Sequence, residues 1–203
     1  MHSDFAKLVA EATACTLCPD MCERAAVLSD LNGPLTARVM FIGEAPGRKG
    51  ADRTRVPFSG DQSGKNFDRF LASINLSRNQ IFITSAALCN PRTSSGANRK
   101  PTQAEVANCA GFLRRAISLV DPRVVVTLGS VALDALKRIH YHELTLKDAI
   151  GSIKEWNGRL LVPLYHPSPQ VLASHRREAA QLRDYKVVAD AMRANGLSAS
   201  QFS

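Results

Sequence analysis

The stretch Gly43–Gly64, GEAPGRKGADRTRVPFSGDQSG, gathers residue types suited to a planar, negatively charged ligand. Glycine lets a backbone approach a ligand closely because no Cβ intervenes. Gly43 and Gly47, with Ala45 between them, therefore read as a backbone-lined pocket wall. The stretch has neither the G-K-S/T of a phosphate loop nor the G-x-G-x-x-G of a dinucleotide site. Glu44, Asp52 and Asp61 are acids that can orient a water or offset a cation. Cleaving an N-glycosidic bond needs both, since the sugar gains oxocarbenium character as the base leaves. Phe58 is a stacking platform for a base or an ordinary core residue. His166, in LYHPSPQ, can hydrogen-bond a departing base or close a strand end structurally.

Cations surround these residues. Arg48, Lys49, Arg53 and Arg55 lie in the same stretch, Arg92, Arg99 and Lys100 form a second group, and Arg176 and Arg177 follow His166. They are placed to hold a phosphate backbone; the alternative is a solvated basic rim. The chain has 5 cysteines, an odd count that argues against a disulfide framework. Cys15-x-x-Cys18 is a ligand-like pair, and Cys89 and Cys109 would complete four thiolates for zinc or an iron–sulfur cluster. Cys22 is a spare or substitute ligand. Small apolar core residues are the competing reading.

The elements that must position these residues alternate. Apolar runs predict strands at 37–45, 81–88, 124–129 and 159–167, and helical periodicity predicts helices near 3–14, 64–75, 103–119, 131–139 and 169–194, with Ser130 capping the fourth. This order predicts an α/β domain, a three-layer α/β/α sandwich around a four-stranded parallel sheet. Ligands in such folds sit outside the carboxyl ends of the strands. There lie GEAPG after strand one, Ser85 at the end of strand two and His166 at the end of strand four. The whole of 1–203 reads as one domain, with 196–203 as a frayed tail.

A length of 203 residues supports a real core. Net charge is +8 and pI about 9.6, a balance suited to nucleic acid. There is no apolar run of membrane-span length and no signal-peptide pattern, which predicts a cytoplasmic protein.

Taken together and in order, Cys15-x-x-Cys18, GEAPG, PFSGDQSG, the cysteine followed by P…PT…C, and HPSP resemble the uracil-DNA glycosylase superfamily in its iron–sulfur-containing bacterial and archaeal branches, over roughly residues 10 to 190. GEAPG is similar to family 4; PFSGDQSG and NRKPTQAEVANC are closer to family 5. The family-4 pattern places a base-reading asparagine where this chain has Ser85. The family-5 pattern places a functional asparagine before KPT, matched here by Asn98 with one extra residue, Arg99. The resemblance implies base flipping, stacking on Phe58, water activation by Asp61 with Glu44 as rival or helper, and base contact by His166. It also implies a [4Fe-4S] cluster on Cys15, Cys18, Cys89 and Cys109. DNA containing uracil or an abasic site is the expected partner and a monomer the expected state. No lysine in the matched motifs is an evident Schiff-base nucleophile, so no lyase step is expected. KRIH, Lys137–His140, reads as the basic end of a helix. The alternatives are an abasic-site binding module with little turnover and a cluster-bearing protein with a non-DNA partner.

Overall fold

The computed structural model describes residues 2–21 and 23–197. Cys22 and residues 198–203 of the expected tail therefore lie outside the described residues. In chain order the elements are α1 (His2–Thr13), β1 (Val39–Gly43), α2 (Ala51–Thr54), α3 (Gln62–Ala72), β2 (Ile81–Ser85), α4 (Gln103–Val120), β3 (Val124–Leu128), α5 (Ser130–Leu136), α6 (Leu146–Ala149), β4 (Lys154–Trp156), β5 (Arg159–Leu164), α7 (Pro169–Ser174) and α8 (Glu178–Ala194), with short 3-10 turns between some of them. None of the described helices is long and apolar enough to cross a membrane.

The strands lie in the order β2-β1-β3-β5-β4. The first four are mutually parallel, with Val39 opposite both Ile81 and Val124, and Val124 opposite Leu160. Successive side chains of a strand point to opposite faces, so a sheet covered on both sides needs continuous apolar strands. Met40, Ile42, Phe82, Val125 and Leu161 pack on one face with residues of α1, α4 and α5. Val39, Phe41, Ile81, Ile83, Val126 and Val162 pack on the other with residues of α3 and α8. The α/β sandwich is as expected.

Two expectations are corrected. The sheet has five strands, not four, and is mixed, because β4 runs antiparallel to β5. Asn157 and Gly158 join the pair at positive φ, 49° and 72°. Asn-Gly is a strong signal for a two-residue hairpin, but Lys154–Trp156 is too short and polar to read as a strand alone. The helix expected over 169–194 is two helices. Ser168 caps α7 at Val171 N, and Arg177 is extended (φ −57°, ψ 156°) ahead of α8. No glycine or proline marks this break. Tertiary contacts hold it: Gln181 Nε2 donates to the Arg176 carbonyl at 3.3 Å, and the Arg176 guanidinium pairs with Asp184 at 2.6 and 2.9 Å. Gly129, rather than Ser130, occupies the N-cap position of α5. Leu197, inside the expected tail, packs against the core.

Candidate active site

Parallel register aligns the strand ends: Gly43 lies opposite Ser85, and Leu128 opposite Leu164. Everything following these residues emerges at one edge. A cavity of about 650 Å³ opens there, lined among others by Glu44, Ala45, Gly47, Phe58, Asp61, Ser85, Asn98 and His166. A cavity of that size suits a small ligand or a single extruded nucleotide.

Phe58 stacks on Phe67 of α3 at 4.8 Å and meets the His166 ring at 5.3 Å, centroid to centroid. Its φ is +50°, a costly conformation for a bulky residue that surrounding structure must impose. Arg78 does so, donating to the carbonyls of Pro57 and Phe58. Gly43 lies under the ring, where a Cβ would stand 2.8 Å from Phe58 Cε2. A side chain at 43 would displace the aromatic.

Asp61 caps α3: its Oδ1 accepts from Gly64 N at 2.9 Å. Its Oδ2 faces two bare backbone positions, since a Cβ on Gly47 would approach to 3.2 Å and one on Gly50 to 2.3 Å. Glu44, half-buried in the same cavity, has its carboxyl pushed up by burial, with Lys100 pulling it down less strongly. Burial pushes the His166 imidazole down to about 4, opposed by the Asp61 charge. His166 is therefore neutral near pH 7 and retains one N–H donor. Two buried amides fix its backbone: Asn66 Nδ2 donates to the Pro167 carbonyl at 2.8 Å, and Gln181 Nε2 to the His166 carbonyl at 3.4 Å.

Asn98 Oδ1 accepts from Arg48 N and from Asn90 Nδ2, both at 3.0 Å. Of the predicted cations, Arg99 and Lys100 line this cavity, whereas Arg48, Lys49, Arg53, Arg55, Arg92, Arg176 and Arg177 do not. Arg55 is committed to the carbonyls of Ala25 and Ala26, Arg53 donates to the Gly60 carbonyl at 3.3 Å, and Arg176 is held by Asp184. Arg177 is exposed at the head of α8.

Residues 32–187 match the family profile described as the uracil DNA glycosylase superfamily. The chain belongs to that superfamily. It is 31% identical over 159 residues to the type-4 uracil-DNA glycosylase of Archaeoglobus fulgidus, with 76% of each chain covered. It is 32% identical over 155 residues to the type-4 enzyme of Thermotoga maritima, again with 76% of each covered. A type-5 uracil-DNA glycosylase of Pyrobaculum aerophilum is 35% identical over 150 residues, 68% of this chain and 64% of that protein. Similarity to both types parallels the mixed motifs.

In this superfamily member the four predicted thiols share one electrostatic neighbourhood. Burial pushes Cys89 up to about 11, and the charges of Cys15 and Cys18 add to it. Burial likewise pushes Cys109 up to about 12, opposed by the Leu88 backbone and reinforced by Cys89, Cys18 and Cys15. Among the described residues no group of three or more His, Cys, Asp or Glu side chains is arranged to hold a metal ion. Pocket residues that sequence reasoning passed over include Asn90, Ser168, Tyr165 and His175. Tyr165 was hidden within a strand-like run, and Asn90 gave no signal beyond its place next to Cys89.

Proposed function

We propose that this chain is a monofunctional uracil-DNA glycosylase that flips uracil from DNA and hydrolyses the C1′–N1 bond, leaving an abasic site. The observation that carries this reading is the meeting of Phe58 and Asp61, from the loop ahead of α3, with His166, which follows β5, in one cavity of a superfamily member. The flipped base stacks on Phe58. Backbone groups of 43–47 and the neutral His166 hydrogen-bond it and stabilise the electron pair it carries away. Asp61, one oxygen spent on its helix cap, uses Oδ2 to accept a proton from water as that water attacks C1′, and its charge offsets the cationic sugar. Glu44, nearer protonation because of burial, assists as a hydrogen-bonding group. Ser85 and Asn98 complete the polar wall. Arg48, Arg53 and Arg177 bias the surrounding surface toward DNA, whereas Arg55 and Arg176 are spent on the Ala25 and Ala26 carbonyls and on Asp184, and the protein acts as a cytoplasmic monomer.

Cys15, Cys18, Cys89 and Cys109 would hold a [4Fe-4S] cluster. Burial makes Cys89 and Cys109 costly to ionise alone, and the nearby Cys15 and Cys18 add to that cost, so a cationic occupant would suit the four thiolates. The cluster would supply a structural cross-link between the N-terminal segment, the end of β2 and α4 rather than a reaction step. Iron analysis and visible absorbance of anaerobically purified protein test it; an iron-free, colourless protein overturns it.

Uracil release from a uracil-containing duplex, measured beside binding to an abasic duplex, tests the function. Stoichiometric release followed by abasic DNA is expected. Tight abasic binding without release would establish a binding module instead.

A further inference from the structure

The amide of Asn98 has only one orientation compatible with its surroundings. The backbone N–H of Arg48 can only donate, so the atom 3.0 Å from it must be the acceptor Oδ1. The same oxygen accepts from Asn90 Nδ2. Both lone pairs of Oδ1 are thus spent on the protein, and Nδ2 is left toward the Gly47 wall. A Cβ on Gly47 would stand 3.8 Å from Asn98 Nδ2 and 3.2 Å from Asp61 Oδ2. A donor and an acceptor therefore flank one stretch of bare backbone.

Asn90 is the residue that can enforce this. It is fully buried and every polar atom of its side chain is engaged. Nδ2 also donates to the Pro46 carbonyl at 2.6 Å, and Oδ1 accepts from Arg92 Nε at 2.6 Å. Arg92 is in turn paired with Asp52, whose side chain is largely buried. Arg24 Nη1 donates to the Asn90 main-chain carbonyl at 2.8 Å. The Arg92 N–H fixes which end of Asn90 is oxygen, and so which end donates to Asn98. The relay Asp52–Arg92–Asn90–Asn98 carries its polarity inward from the rim, with no freedom to invert a member without breaking a bond.

We propose that Asn90 is a positioning residue that locks the Asn98 amide with its donors toward the reaction pocket. This rests on the glycosylase reading. Asn98 holds the water or substrate oxygen beside Asp61, and Asn90, whose side-chain polar atoms are all spent on Pro46, Asn98 and Arg92, acts through it.

Asn90→Asp preserves size but sets acceptors against the Pro46 carbonyl and Asn98 Oδ1. Asn98 must then turn and forfeit the Arg48 bond. Single-turnover uracil release should fall about 10-fold or more, DNA affinity should stay within about twofold, and in an Asn98→Ala background the same change should add less than about twofold, since residues acting through one another are not additive. A fall of equal size in both backgrounds, or none in either, overturns the proposal. Arg92→Ala removes the outer bond without a buried acid and should show the same non-additivity with a smaller loss. It gives the answer should Asn90→Asp fail to unfold cooperatively on heating. The Asn98 side-chain amide resonances should shift in both variants, and unchanged resonances overturn the proposal. Should the wild-type protein release no uracil, the glycosylase reading fails, while the resonances still decide the Asn90–Asn98 coupling.

Discussion

Asp61→Asn separates the two oxygens of one carboxylate. Oδ1 caps α3 through Gly64 N at 2.9 Å. An asparagine keeps that bond only by placing its oxygen there, because a backbone N–H requires an acceptor. Its NH2 is then forced into the place of Oδ2, against the bare backbone of Gly47 and Gly50. A water proton can no longer be accepted, and the charge facing the sugar is gone. Asn and Asp cap helices equally well, so stability should change by less than about 0.5 kcal/mol. The loss should fall on chemistry: about 100-fold or more in single-turnover uracil release, roughly 2.7 kcal/mol of transition-state stabilisation. DNA affinity should hold or rise, since a negative charge near the phosphates has been removed. Asp61→Ala should show the same catalytic loss and, without the cap, about 1 kcal/mol lower stability. Glu44→Gln is the matched control. If it abolishes release while Asp61→Asn stays within about threefold of wild type, Glu44 activates the water, Asp61 is only a helix cap, and the reasoning fails.

Desolvation of the half-buried His166 pushes its imidazole down from 6.5 to about 4, so between those values the unfolded chain binds a proton that the folded chain does not. Its contribution to stability is therefore present above about pH 6.5 and lost as pH falls toward 4. Single-turnover release should be flat across about pH 6 to 8; a step near 6.5 that vanishes in His166→Gln would show that the imidazolium takes part. Reversing the two arginines ahead of α8 should give different results. Arg177→Glu should weaken binding to all DNA sequences and leave thermal stability unchanged, as measured by fluorescence titration across salt and by thermal melts. Arg176→Glu should destabilise the fold by about 2–3 kcal/mol, because buried Asp184 loses its partner, and a stable Arg176→Glu protein would contradict the structural role of that pair.

By itself the sequence determined the parallel core of the sheet, its helical cover and most of the cavity. Unbroken apolar runs such as VMFIG and VVVTL can only be strands buried on both faces, and Thr102 with Glu105 announces the start of α4. With strand ends fixed, Glu44, Asp61, Ser85 and His166 had to share one edge. The tertiary structure alone decided the rest. The break between α7 and α8 has no local signal, because it is held by Gln181 and Asp184 from the next helix. Arg53, Arg55 and Arg176 look alike in sequence, yet each is spent on a partner distant in fold or in the adjoining turn. Asn90 reads as an ordinary loop residue until Arg92, Pro46 and Asn98 close around it. Local patterns report what a segment buries, since burial follows its own periodicity. Which hydrogen bonds a polar side chain makes depends on groups that only folding brings within 3 Å, and no spacing along the chain encodes that.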